Sequence, residues 1–149
     1  MYKWTYKTEI GDITIGTNDH RIIYLKTCDK LVAERKETPL IQKAYGQLLE
    51  YLGGNRTEFD LPLELRGTDF QKNVWQTSCH IPYGTTTTYK QLAETMNKPK
   101  AVRAVGAANG QNPIWIIVPC HRVIGSNGSL TGYGGGLPLK KKLLELERQ

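Results

Sequence analysis

Cys120 and His121 stand side by side in Ile117-Val118-Pro119-Cys120-His121-Arg122-Val123-Ile124, behind the apolar run Ile114-Trp115-Ile116-Ile117-Val118. A thiolate is a strong, soft nucleophile near neutral pH, and a neighbouring imidazole can take its proton. The apolar run reads as a buried strand or core segment, so the Cys is expected on a rigid element and not on a mobile loop. Pro119 fixes one backbone dihedral and removes a donor, which favours a sharp turn that presents the sulfur. Taken alone, a Cys-His pair more often means an inert buried thiol beside a surface imidazole. The residues around this pair argue for the reactive reading.

The elements that must position the thiol fall in the second half of the chain. Asp69 is a candidate N-cap for a helix from Phe70 to about Cys79, ended by Ile81-Pro82-Tyr83-Gly84. After four threonines a short helix is predicted from Tyr89 to Met96, broken at Asn97-Lys98-Pro99. A second helix starts near Lys100-Ala101 and ends at Gly110; the pair resembles a helix-turn-helix. Ala101, Ala104, Gly106, Ala107 and Ala108 leave this second helix nearly smooth, with Arg103 as its one long cation. Smooth helices usually pack in a core. The same surface also suits close approach to a DNA groove, with Arg103 as a wedge. A Gly-rich loop, Gly125 to Gly136, carries Tyr133 but no P-loop Lys-Ser/Thr, so it offers no nucleotide phosphate cradle. Leu137 to Gln149 is predicted as an amphipathic helix with Leu139, Leu143, Leu144 and Leu146 toward the core. Glu147 near its end opposes the helix dipole and calls for a compensating partner.

The first half reads differently. Tyr2, Trp4 and Tyr6 alternate at strand period, as do Ile13 and Ile15 after a turn at Gly11-Asp12. Asn18-Asp19-His20 turns into Arg21-Ile22-Ile23-Tyr24-Leu25, giving a three-stranded antiparallel meander. Thr38-Pro39 announces a helix over 40–52 that stops at Gly53-Gly54, and 55–67 reads as a connector. The fold class expected is α/β: a small N-terminal antiparallel sheet plus helix lobe over 1–65, then a mainly helical domain over 66–149 that contains the helix-turn-helix. The N-terminal lobe carries nine basic and ten acidic residues, the C-terminal one eleven and four. The basic excess therefore sits with Cys120 and points to a polyanionic partner, most commonly nucleic acid.

Three cysteines and a start unlike a signal peptide suggest reduced thiols in a cytoplasmic protein. No apolar run is long enough to span a bilayer, so no membrane association is expected. His20 and Cys28 form no four-ligand set, so no metal is expected. Cys79-His80 is a second Cys-His pair, at a helix end, and reads as structural.

Phe70…Val74-Trp75, Ile81-Pro82-Tyr83-Gly84, Thr88-Tyr89, Arg103-Ala104-Val105-Gly106, Asn112-Pro113, Pro119 to Ile124, Tyr133…Gly136-Leu137 and Leu143 to Glu147 stand in one order over about 59–149. In this the chain resembles the O6-alkylguanine-DNA alkyltransferases, or methylated-DNA–protein-cysteine methyltransferases; its N-terminal lobe matches only in outline. The resemblance implies DNA repair by direct reversal. Cys120 would accept an alkyl group from O6-alkylguanine, with O4-alkylthymine as a secondary substrate, in one turnover and without a cofactor. His121 would deprotonate Cys120 through a water, oriented by Glu147. Asn112 would brace the turn, and Tyr89 would donate a hydrogen bond to guanine. Pro119, Val123, Tyr133, Gly134 and Gly135 would line the pocket. Gly134 stands where relatives carry a small side chain, which would loosen the pocket edge. Arg103, Ala101, Ala104, Gly106 and Arg122 would face the DNA, with Arg103 filling the gap left by a flipped nucleotide. The partner implied is double-stranded DNA carrying alkylated guanine, bound through the minor groove by a monomer.

The chemistry agrees. A base must leave the stack before its alkyl carbon can be reached, and guanine leaves better if it gains a proton, which a Tyr hydroxyl can give. A non-enzymatic damage binder would have another residue at the nucleophile position. A transcription factor would leave the Cys-His-Glu set unexplained, and a cysteine hydrolase would need an oxyanion site and would turn over.

Overall fold

The computed structural model describes residues 1–130 and 133–148. The chain divides into two compact units, Met1–Leu65 and Arg66–Gln149. Among the described residues no helix is long and apolar enough to cross a membrane.

In the first unit, β1 (Tyr2–Thr8), β2 (Gly11–Thr17) and β3 (Ile22–Lys26) form the antiparallel meander, in register from Tyr2↔Thr17 to Thr8↔Gly11 across the first hairpin. The turn falls at 9–10, before Gly11-Asp12, because the Thr8 hydroxyl donates to Gly11 O at 2.7 Å and accepts from Ile10 N at 3.2 Å. The second turn is closed by Asn18, whose Oδ1 accepts from His20 N and Arg21 N at 2.9 and 2.7 Å. A fourth strand, β4 (Glu34–Arg35), pairs parallel to β1 and makes the sheet mixed, in the order β3-β2-β1-β4. Helix α1 (Pro39–Leu52) begins at Thr38, whose side chain accepts from Ile41 N at 3.3 Å, with Pro39 in the first turn. Its core face is Ile41, Ala44, Leu48 and Tyr51, all fully buried. The connector is not free chain: Ile22 N donates to Pro62 O at 2.8 Å and Glu64 N to Ile22 O at 2.9 Å, adding a short parallel bridge at the β3 edge.

The second unit contains α2 (Asp69–Ser78), β5 (Thr87–Thr88), α3 (Tyr89–Thr95), α4 (Val102–Gly110), β6 (Val123–Ile124) and α5 (Leu137–Glu147). The cap of α2 is Thr68, not Asp69. Thr68 Oγ1 accepts from Gln71 N at 3.1 Å while Gln71 Oε1 accepts from Thr68 N at 2.9 Å. This capping box meets two orphan donors at once, which an Asp69 cap would not. The box recurs at Thr88 and Gln91 and starts α3. Asn97, at φ 59, ends α3 and turns the chain toward α4. Trp75 of α2, 1 % exposed, donates from Nε1 to Ala108 O at 2.8 Å and so fixes α2 against α4. Strands β5 and β6 pair parallel, Thr87 with Val123 and Thr88 with Ile124. That pairing brings Tyr89, the next residue, alongside the segment that carries Cys120.

Candidate active site

The run 114–118 is a buried core segment, but it is folded into tight turns instead of extended as a strand. Ile117 N donates to Trp115 O at 2.8 Å, Val118 N to Ile114 O at 3.2 Å, and Cys120 N to Val118 O at 2.8 Å. Ile116 sits at φ 73 and is 2 % exposed. A β-branched residue in the left-handed region is strained by about 1–3 kcal/mol, and surrounding structure must over-determine it. Asn112 supplies much of that hold. Its Oδ1 accepts from Ile114 N at 2.9 Å, and its Nδ2 donates to Val118 O and to Cys120 Sγ, each at 3.0 Å. One amide thus ties both ends of the turn and touches the sulfur. A 3₁₀ turn, Cys120–Arg122, then presents the thiol and runs into β6.

Cys120 is 1 % exposed, and burial pushes its thiol up to about 11, against the pull of the Asn112 hydrogen bond and the Lys140 charge. A resting thiol of that kind is neutral at pH 7 and needs a base. His121 is fully buried, with Nε2 2.6 Å from Glu147 Oε2. An ionised carboxylate only accepts, so Nε2 carries the proton and Nδ1 is the free lone pair. Nδ1 is buried with no hydrogen-bond partner among the described residues. Burial lowers the His121 pKa, against the opposing pull of Glu147, so the ring is neutral and able to accept.

Arg122 corrects an expectation. The family resemblance places it toward DNA, yet it is 7 % exposed. Its Nε and Nη2 donate to Glu147 Oε1 and Oε2 at 2.7 and 3.1 Å, and its Nη1 donates to Ile81 O at 2.7 Å. A bidentate bond matches the planar guanidinium to the carboxylate. Glu147 thus meets His121 on one oxygen and Arg122 across both, and its Oε1 also accepts, more loosely, from Gly84 N at 3.4 Å.

Lys140 is a further residue of the site that no sequence motif marks. It is fully buried on α5, where its Nζ donates to Val123 O at 2.6 Å and, more loosely, to Tyr89 Oη at 3.5 Å. Burial brings its ammonium down to about 8. A signal was available: Lys140, Leu143, Leu144 and Glu147 share one helix face by their spacing, and all four are buried, while Leu139 and Leu146 are half-buried. Tyr89 itself is half-buried beside Lys140.

An open cavity of roughly 590 Å³ lies between α4 and the 133–137 loop, lined among others by Gly106, Ala107, Gly110, Tyr133, Gly134 and Gly136. Tyr133 and Gly134 both line this cavity, whereas Pro119, Val123 and Gly135 are not among its walls. Gly134 does not loosen the edge. A Cβ there would lie 3.1 Å from Gly110 O and 3.3 Å from the Trp115 ring. At Gly135 it would lie 2.9 Å from Leu139 and Tyr133. On α4, Arg103 and Ala104 are exposed and Gly106 half-buried, as is Ala101 at its N-cap, all on the unit that holds Cys120.

A buried thiol held by an amide, next to an imidazole on a carboxylate, is an arrangement that can supply a cysteine nucleophile. The chain matches two family descriptions: "6-O-methylguanine DNA methyltransferase, ribonuclease-like domain" over residues 1–65, and the DNA binding domain of the same methyltransferase over 69–149. It is 47 % identical to the methylated-DNA–protein-cysteine methyltransferase of Methanosarcina barkeri over 99 % of this chain and 97 % of that one. It is 44 % identical to the constitutive one of Bacillus subtilis, over 99 % and 95 %. The Mycobacterium tuberculosis OGT solved in complex with DNA superposes with a TM-score of 0.93 at 45 % identity, over 99 % of this chain and 93 % of that one. The chain belongs to the 6-O-methylguanine DNA methyltransferase family.

Proposed function

We propose that this chain repairs double-stranded DNA by moving the alkyl group of O6-alkylguanine to Cys120 in one irreversible turnover. The observation that carries this reading is the thiol itself, held at 3.0 Å by Asn112 and followed by a fully buried imidazole on Glu147. His121 Nδ1 draws the thiol proton through a water. The sulfur attacks the alkyl carbon in line as the bond from that carbon to guanine O6 breaks. The electron pair moves into guanine, whose ring nitrogen takes a proton from the Tyr89 hydroxyl. Lys140, with its ammonium near 8, is placed to reprotonate Tyr89 and to stabilise the thiolate. Glu147 and Arg122 hold the base and do not touch the substrate. The product is a thioether, and no group at the site can hydrolyse one, so the protein is spent.

The helices α3 and α4 serve as the helix-turn-helix, with the smooth α4 in the minor groove and Arg103 in the gap left by the flipped nucleotide. The protein acts as a monomer in the cytoplasm. Cys120→Ser is expected to abolish transfer from O6-methylguanine DNA while DNA affinity is kept, since Arg103 and the basic surface are untouched. Persisting transfer would remove Cys120 from the acceptor role, and lost binding would make its segment structural.

A further inference from the structure

Two buried acceptors close to Cys120 have no hydrogen-bond partner among the described residues: His121 Nδ1 and Asn109 Oδ1. Asn109 lies at the end of α4 and is 1 % exposed. Its amide orientation follows from its bond: Nδ2 donates to the Cys120 carbonyl at 3.2 Å, and a carbonyl only accepts. The oxygen is therefore the atom left over. Buried polar groups without a partner are rare, and the usual partner of such acceptors is a buried water.

We propose that Asn109 is a positioning residue of the transfer reaction: its Oδ1 and His121 Nδ1 accept the two hydrogens of one buried water, whose oxygen accepts the hydrogen bond of the Cys120 thiol. The proposal rests on the alkyl-transfer reading above. Three bonds are what a buried water typically makes. When the sulfur attacks, the thiol proton passes to the water oxygen and a water proton passes to Nδ1. Thiolate and imidazolium remain, and the water is restored. The hydrogen on Asn109 keeps the water in one orientation throughout. The bond from Nδ2 to the Cys120 carbonyl ties that orientation to the position of the thiol segment. The charges that act on His121 are those of Glu147 and Lys140 on α5 and of Arg122 on its own segment; Cys79, just past α2, lies within electrostatic reach of Arg122 and Cys120.

The test follows single-turnover methyl transfer from duplex DNA carrying O6-methylguanine, as a function of pH, in the full chain and in two variants. Asn109→Leu keeps the branching and removes the acceptor. It is expected to slow transfer about tenfold or more, with DNA affinity unchanged. Asn109→Asp turns a carboxylate toward the same water, which stabilises the imidazolium. His121 then stays protonated to a higher pH, and the acid limb of the rate profile moves upward. A high-resolution structure of the unmodified protein is expected to show a water within hydrogen-bond distance of both acceptors, and this holds even if a variant fails to fold. A Leu variant with the unmodified rate and acid limb would overturn the proposal, as would a structure without that water. An unmodified protein that never alkylates Cys120 would take the alkyl-transfer reading down with it.

Discussion

Arg122 shows how much one side chain can change between its sequence reading and its place in the fold. A cation next to a reactive Cys-His pair in a basic domain reads as a phosphate contact, and nothing local says otherwise. Its partner Glu147 lies on another element, and only the fold shows that the two meet. Removing one member of a buried pair leaves the other charge unmet. Arg122→Met is therefore expected to destabilise the protein by about 3–5 kcal/mol. The slope of DNA affinity against salt should stay as it is in the folded protein, because no phosphate contact is lost. Chemical denaturation and a salt series on the variant check both parts, and a shallower salt slope would return Arg122 to the DNA surface.

Cys120 itself predicts a pH dependence. Its thiol titrates near 9 in an unfolded chain and is pushed up to about 11 by burial. Between those values the unfolded chain has released a proton that the folded one keeps, so stability falls as pH rises through this window. In Cys120→Ala that loss is absent. The stability difference between the two proteins should therefore be constant below about pH 9 and then shift against the unmodified one toward pH 11, by something on the order of 2 kcal/mol. Parallel curves in denaturation experiments across that range would mean the thiol is not buried as described.

At the scale of elements, signals written in adjacent residues were legible and those that need a partner far away were not. The start of α1 is readable from Thr38-Pro39, and the break before α4 from Asn97-Lys98-Pro99. The cap of α2 was read one residue late because Thr68 and Asp69 are both capping types. Gln71, three residues past Thr68, was the discriminating signal. Strand β4 gave none, since two charged residues show no alternation and form a strand only because β1 offers an edge. Lys140 was passed over because a lysine within Lys140-Lys141-Lys142 reads as solvated, although its spacing to Leu143, Leu144 and Glu147 marked a buried face. Helix α4 was legible as a smooth surface with one cation, and that carries the next prediction. Arg103→Ala should impair repair of duplex DNA far more than reaction with a free O6-alkylguanine, because only the duplex has a base to extrude and a gap to fill. Equal losses on the two substrates, measured as single-turnover rates, would mean that Arg103 shapes the site and not the DNA.

At the scale of the whole molecule, charge and chemistry fall in the same unit. The basic excess lies in Arg66–Gln149, along with the Cys120 thiol, the His121 imidazole and the Glu147 carboxylate bonded to it. Such a unit can be drawn to a polyanion and react there once. The single use of Cys120 is the claim on which everything else depends, and intact mass followed by peptide mapping tests it most directly. With excess duplex DNA containing O6-methylguanine, each chain should gain one methyl group, the reaction should then stop, and the added mass should map to Cys120. Continued product formation beyond one methyl per chain, or a methyl found on Cys28 or Cys79 instead, would contradict the account.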